Sequence, residues 1–278
     1  MSLYICSLNS GSNGNCYYIG DGEDAILVDA GISCKETEKR MQRLGLSMNK
    51  VKAIFVSHEH TDHIAGITVL AKKYQLPVYV TDGTRVSGRM NIERRSAISF
   101  VSYQPIKIGS LIVTPFPKFH DASDPHSFIV ASASVTVGIF TDIGIPCEQV
   151  VRHFQLCHAA FLESNYDEGM LVNGLYPYYL KKRIMGGKGH LSNSQALQLF
   201  LSHRPAFMSH LLLSHLSKNN NSPKLVEELF SQHALTTKII IASRDEESPV
   251  YYISNEAQQN IVVAKSYNKP VQLQLSLF

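Results

Sequence analysis

The chain reads as an α/β protein, and three observations predict that class. Short apolar runs bounded by Gly, Asn and Ser alternate with segments of helical periodicity across residues 3–253. Several of those runs end in a carboxylate or an imidazole, as at Val28-Asp29, Phe140-Thr141-Asp142 and Leu213-Ser214-His215. Open α/β sheets gather their working groups at such strand ends. The third observation is Ser57-His58-Glu59-His60-Thr61-Asp62-His63, an H-x-H-x-D-H run between an apolar strand at 51–56 and a helix expected over 64–74.

Length and composition bound the rest. The 278 residues suit one large α/β domain or two small ones. With no linker, low-complexity tract or Pro-rich boundary, a single domain over 1–278 is expected. An apolar fraction of 44% excludes a disordered chain. No apolar run approaches the ~20 residues that cross a bilayer, so no membrane association is expected. Met1 to Cys6 lacks a basic n-region and a long apolar h-region, which predicts no signal peptide. The five cysteines, Cys6, Cys16, Cys34, Cys147 and Cys157, are odd in number and have no C-x-x-C spacing. That pattern predicts reduced thiols and a cytoplasmic protein. The net charge of +3 permits a polyanionic substrate without requiring one, and protein partners are not legible.

Taken in order, residues 3–8 read as a first strand, followed by Asn9-Ser10-Gly11-Ser12-Asn13-Gly14-Asn15. This loop is either a hairpin turn, since Asn-Gly is a strong hairpin signal, or a place where backbone N–H groups converge on an anion. Strands at 16–19 and 25–29 follow, the second ending in Asp29. Ser33 then caps a helix over 35–44 that Gly45 stops. After the histidine-rich turn come strands at 77–80 and 96–101, then a hairpin over 106–117 that delivers His120 to a loop. A second hairpin, 127–131 with 134–141, ends at Asp142. A short strand at 158–162 leads to Glu163-Ser164-Asn165-Tyr166-Asp167. Helices are expected over 176–184 and 194–202. Between them, Gly186-Gly187-Lys188-Gly189-His190-Leu191-Ser192-Asn193 reads as a phosphate cradle before a helix N-terminus, and Lys181, Lys182 and Arg183, one turn upstream, add to it or form a solvated basic face. A strand over 207–213 ends at His215. A helix to residue 230, strands at 238–242 and 250–253, and an extra edge strand from residue 261 onward complete the expectation.

Imidazole and carboxylate are the ligands that Zn, Mn and Fe accept, and no cysteine among them demands a softer ion. Four such side chains leaving one tight turn cannot all point at a single ion, so His58, His60, Asp62 and His63 predict two ions side by side. His120 offers the third imidazole that His58 and His60 lack. Asp142, at the end of an apolar strand, needs compensation that bridging two cations would provide. Asp29 is a ligand or, more in keeping with its place, an acceptor that holds the metal loop from behind.

The order Asp29, His58-x-His60-x-Asp62-His63, His120, Asp142, His215 resembles the metallo-β-lactamase superfamily across nearly the whole chain. That resemblance implies an αββα four-layer sandwich with a dinuclear site at one edge of the sheets. It also implies that His58, His60 and His120 hold one ion, that Asp62, His63 and His215 hold the other, and that Asp142 bridges them. Within the superfamily the chain is similar to the YycJ-type (WalJ-type) exonucleases. The likeness rests on residues 7–16 and 163–167, on Gly189-His190-Leu191-Ser192-Asn193 and on Leu213-Ser214-His215-Leu216-Ser217 with the asparagines that follow. The chain has no room for the β-CASP insertion of ribonuclease J. It departs from the pattern at Tyr166, where a histidine is expected.

The resemblance implies a metal-dependent 5′-to-3′ DNA exonuclease. Two ions ~3.5–4 Å apart can share a hydroxide and clamp both oxygens of a phosphodiester displacement. Asp62 is then the orienter and proton acceptor of the attacking water. His190 donates to the leaving oxygen or merely caps the following helix. Ser12, Asn13, Asn15, Lys188, Ser192 and Asn193 are the expected substrate contacts. Two rival functions fit the same residues: a glyoxalase II or lactonase type of hydrolase, and a metal-holding module that binds nucleic acid without cutting it.

Overall fold

Two seven-stranded sheets carry the chain, which the computed structural model describes over residues 2–255. The first sheet contains β1 (Leu3–Asn9), β2 (Cys16–Gly20), β3 (Ala25–Val28), β4 (Val51–Phe55), β5 (Val78–Tyr79) and β6 (Ala97–Ile98). The second contains β7 (Ile106–Ile108), β8 (Leu111–Pro117), β9 (His126–Ser132), β10 (Val135–Phe140), β11 (Ala159–Glu163), β12 (His210–Ser214) and β13 (Lys238–Ile241). The chain then returns to the first sheet, where β14 (Tyr251–Ile253) pairs antiparallel with β1.

Each sheet begins as antiparallel hairpins and finishes parallel, from β3 to β6 and from β10 to β13. Parallel neighbours need crossovers, usually helical. In the first sheet these are α1 (Cys34–Arg43), α2 (Thr61–Ile64), α3 (Ile67–Tyr74) and α4 (Asp82–Ser87). In the second they are α5 (Glu148–Phe154), α6 (Glu168–Asn173), α7 (Tyr178–Met185), α8 (Asn193–His203) and α9 (Pro223–Ser231).

The apolar residues sort into layers. Ile5, Tyr17, Val28 and Phe55 of the first sheet meet Val113, Phe128, Val137 and Phe161 of the second in one shared core. The opposite face of the first sheet packs Cys6, Leu8 and Ile54 against Met41, Ile67 and Leu70. The opposite face of the second packs Ala160, Leu162 and Leu213 against Phe154, Phe200 and Phe230. The result is helix, sheet, sheet, helix, the αββα sandwich expected. Strands buried on both faces explain why β3 and β11 are continuously apolar instead of alternating.

Local chemistry sets the helix ends. Ser33 Oγ accepts from Glu36 N at 3.2 Å, and Gly45 follows α1 in the left-handed region with φ 70°. Ser192 and Gln195 form a reciprocal capping box on α8.

The structure corrects several expectations. The helix foreseen over 64–74 is two helices, α2 and α3, parted at Gly66, where a Cβ would collide with the carbonyl oxygen of Ile32. The strand foreseen over 96–101 shrinks to the two residues of β6. Helices α4, α5 and α6, of six or seven residues, went unforeseen because they are too short to display a period. The edge strand foreseen from residue 261 lies outside the described residues. All five cysteines are free. Burial pushes the Cys6, Cys16 and Cys157 thiols up, which makes them packed apolar groups rather than nucleophiles. Among the described residues no helix is long and apolar enough to cross a membrane.

Candidate metal centre

The edge where β3, β4, β10, β11 and β12 end collects the polar side chains. Asp29, Asp142 and His215 each follow a strand with positive φ, at 59°, 54° and 57°. A non-glycine residue in the left-handed region is held there at a cost of roughly 1 kcal/mol or more. In each case the turn swings the residue off the strand axis and into the edge. Three of these strained residues at one place mark it as functional.

The loop after β4 brings three imidazoles together with His120, which follows β8. His58 Nε2 lies 3.0 Å from His60 Nδ1, and His60 Nδ1 lies 3.3 Å from His120 Nε2. Nitrogens that belong to ligands ~2.0–2.1 Å from one tetrahedral ion stand about this far apart. A second group forms beside it. Asp62 Oδ2 is 3.5 Å from His63 Nε2 and 3.4 Å from His215 Nε2. Asp142 lies between the groups, with Oδ2 3.2 Å from His63 Nε2 and Oδ1 3.8 Å from His120 Nε2. Asp142 Oδ2 is buried without a hydrogen-bond partner, a condition that a cation relieves. His58, His60 and His120 could together hold one metal ion, and so could Asp62, His63 and His215. The donor set, nitrogen and carboxylate oxygen throughout, suits divalent metal.

The groups behind these side chains fix which nitrogen faces inward. His63 Nδ1 donates to Asp29 Oδ2 at 2.7 Å. His58 Nδ1 donates to Ser57 Oγ at 2.9 Å, and Ser57 Oγ donates to the same Asp29 oxygen at 2.7 Å. His120 Nδ1 donates to the Gly189 carbonyl at 3.0 Å, and His215 Nδ1 donates to Glu163 Oε1 at 3.0 Å. When neutral, each of these four rings therefore turns a bare Nε2 to the centre, the arrangement that metal-binding histidines need. Asp29 is thus an acceptor behind the ligands, not one of them.

Charge divides the two groups. Burial pushes His58 well below the usual imidazole range, and burial likewise takes His120 down to about 4. Both are ready as neutral donors. Burial opposes charge on His63 and His215 as well, but the carboxylates of Asp142, Asp29, Asp62 and Glu163 overcome it. They raise His63 to about 10 and lift His215 well above its ordinary value. Asp62 and Asp142 are held below the usual carboxylate range: burial opposes this, and His63 and His215 overcome it. The metal-free centre thus stores protons where cations would sit. Lys118 adds a buried amine, donating to the Thr141 carbonyl at 2.7 Å. Burial lowers its pKa against the pull of the same carboxylates.

His190 stands beside the cage, its ring 5.2 Å from that of His120 and 5.3 Å from that of His215. Its Nδ1 donates to Glu163 Oε1 at 2.8 Å, and the side chain is 19% exposed. It does not cap α8; Ser192 does.

The structure corrects three of the expected substrate contacts. Asn15 is fully buried, and its Nδ2 donates to Asp62 Oδ2 at 3.2 Å, so it orients a candidate ligand. Ser192 is buried as the N-cap of α8. Asn193 is buried in a network with Ser164 and Asn221. Ser12, Asn13 and Lys188 are exposed near the edge. Of the glycines beside Lys188, Gly189 serves close packing, since a Cβ there would strike the Ile184 carbonyl, whereas Gly187 has room for one. Tyr166, where a histidine was expected, is buried and pairs its backbone with Ser192.

Glu163 was missed as a site residue. Its signal was available, because it ends an apolar strand as Asp29 and Asp142 do. Arg244 was also missed. It reaches back from the far end of the chain to Asn13 Oδ1 at 3.2 Å, and nothing local in the sequence announces that meeting.

Comparison with known proteins matches this geometry. A sequence model of the family described as the metallo-beta-lactamase superfamily matches residues 10–154. The chain is 34% identical over 237 residues to the exodeoxyribonuclease YycJ of Bacillus anthracis, covering 84% of this chain and 89% of that protein. It is 28% identical over 225 residues to the exodeoxyribonuclease WalJ of Streptococcus pneumoniae, covering 78% and 83%. The metallo-beta-lactamase fold protein YhfI from Bacillus subtilis superposes with a TM-score of 0.70 at 18% identity, over 91% of this chain and 100% of that one.

Proposed function

Because the chain belongs to the metallo-β-lactamase superfamily, we propose that it is a metal-dependent exonuclease that hydrolyses the phosphodiester bonds of DNA in the 5′-to-3′ direction. The similarity to two exodeoxyribonucleases over most of the chain supports DNA as the substrate class. In this reading His58, His60 and His120 hold one divalent ion and Asp62, His63 and His215 the other, with Asp142 between them. Zn and Mn suit these donors, and Fe does as well. When bound, such ions supply Lewis acidity and a nucleophilic water at neutral pH.

The chain's own residues do the rest. Asp62 Oδ2, held by the Asn15 amide, orients the attacking water and takes its proton. As the new P–O bond forms, the bond to the leaving oxygen breaks, and His190 delivers a proton to that oxygen. Glu163 Oε1 accepts from His190 Nδ1 and holds the ring in place. One observation carries the choice of reaction: the half-buried His190 held by the buried Glu163 at the rim of the cage. A nucleotide alkoxide is a poor leaving group and needs an acid. A thiolate, whose conjugate acid has a pKa near ~8.5, does not. That favours a phosphodiester over the thioester of the glyoxalase II type. The antiparallel return of β14 to β1 supports a single domain without a β-CASP insertion. The five free cysteines are in keeping with the cytoplasm.

The test is metal-dependent digestion of end-labelled single- and double-stranded DNA and RNA, with 5′-phosphate and 5′-hydroxyl ends compared. DNA shortened from its 5′ end is the expected result. Turnover of a thioester with DNA left intact would overturn the reading.

A further inference from the structure

The α6–α7 segment carries features that the cage does not use. Between Glu168 and Glu227 the chain has no Asp or Glu but seven Lys and Arg, so at +3 overall the remainder is net acidic. Four of the seven, Lys181, Lys182, Arg183 and Lys188, lie on the part of the chain that leads into His190. The same segment exposes its aromatic side chains. Tyr178 is 71% exposed, Tyr179 is 74% exposed, and Leu175 is fully exposed before them. In a helix of a globular protein such residues ordinarily face the core.

The C-terminal end of α7 is fixed to the cage. Arg183 pairs with Asp121, the residue after His120. The His190 backbone N–H donates to the Ile184 carbonyl at 3.0 Å, and a Cβ on Gly189 would strike that same oxygen. Tyr179 and Arg183 are four residues apart and share a face, as do Tyr178 and Lys182, whose Nζ sits 4.9 Å over the Tyr178 ring. At ~1.5 Å per residue, the tyrosines stand roughly 10 Å along the helix from the end that leads to His190. Lys188 lies on the turn between them and His190.

Exposed rings interleaved with cations are what a protein offers to unpaired bases and their phosphates. Every base has a face to stack on, and every nucleotide adds a negative charge. Resting on the nuclease reading of the adjacent cage, we propose that α7 and the turn after it form a guide for a single strand of DNA. Tyr178 and Tyr179 stack its bases, and Lys182 and Lys188 track its phosphates into the site. The occupant is one unpaired strand; a duplex keeps its bases out of reach of these rings.

The test uses the full chain in chelator, where no strand is cut. The probe is a fluorescein-labelled single-stranded oligodeoxynucleotide that carries 2-aminopurine near its 5′ end. The Y178A/Y179A variant is expected to bind about tenfold weaker or worse and to lose the 2-aminopurine quenching, while Y178F/Y179F restores both. K182A/K188A is expected to make the dependence of log K on log salt shallower by about 1.4, two phosphates at ~0.7 each. Affinity and quenching unchanged in Y178A/Y179A would overturn the guide. So would tyrosine-dependent binding to vesicles containing phosphatidylglycerol with oligonucleotide affinity intact, since that would assign the surface to lipid. Adding divalent metal to the unmutated chain reads the nuclease proposal separately: binding that depends on the tyrosines supports the guide whether or not the strand is then cut.

Discussion

His190 Nδ1 donates to Glu163 Oε1 at 2.8 Å, so the ring of His190 presents only Nε2 to whatever occupies the cage. Removing the donor tests its role. His190→Ala is expected to lower kcat on DNA by roughly 10²–10⁴, the range of a positioned general acid. Bis-nitrophenyl phosphate, whose leaving group needs no proton, is expected to lose far less. Equal losses on both substrates would assign His190 to the cage rather than to proton delivery.

Glu163→Gln keeps the volume and removes the charge that His190 and His215 share. Metal affinity and turnover are each expected to fall about 10–100-fold, as when a carboxylate behind a metal-binding histidine is lost. Metal titration followed by turnover at saturating metal separates the two losses. Unchanged metal affinity would end the assignment of His215 as a ligand.

Protons must leave before cations enter. His63, raised to about 10, and His215 are protonated in the metal-free protein at neutral pH. Calorimetric metal titrations in buffers of different ionisation enthalpy are expected to report about two protons released near pH 7.5. The sign for stability follows from the raised values. The contribution of these charged pairs is full below the unfolded pKa of ~6.5 and declines as pH climbs through about 10. Chelator-treated protein should therefore melt lower at pH 9 than at pH 6.5. Metal-loaded protein should not show that fall.

His210 has the opposite sign. Burial at the start of β12 takes it down to about 4. The neutral ring is unpenalised above ~6.5, and stability is lost as pH falls from there towards 4. His210→Gln is expected to flatten the fall in melting temperature over that window. A parallel fall in both proteins would count against it.

Gly31 has no room for a side chain, because a Cβ there would strike the backbone carbonyl of Asp62. Gly31→Ala is expected to cost about 1–3 kcal/mol by forcing backbone apart, and to weaken metal binding with it. Denaturant unfolding and metal titration on the same preparation measure both.

Much of the centre was legible in the sequence because its groups end strands. The H-x-H-x-D-H turn, Asp142 and His215 each follow an apolar run, and a strand end is a position that periodicity locates well. Glu163 obeys the same rule but opens a longer polar run, Glu163 to Asp167, in which a single carboxylate does not stand out. Asn15, Ser192 and Asn193 were polar and near the right places, yet burial decides their work, and burial is a tertiary fact. Gly66 shows the same limit: the helical period ran straight through it, yet its N–H donates across to the Ala30 carbonyl and not back along the helix. The meeting of Arg244 with Asn13 is made by the loop after β13, where the Ser10 N–H also donates to the Ser243 carbonyl, and no local pattern states it.

One oxygen of Asp29 supports both halves of the cage: it receives His63 directly and His58 through Ser57. On the two-ion reading, loss of this oxygen would loosen His58 and His63 together, so a fault behind the cage would reach both of its halves at once.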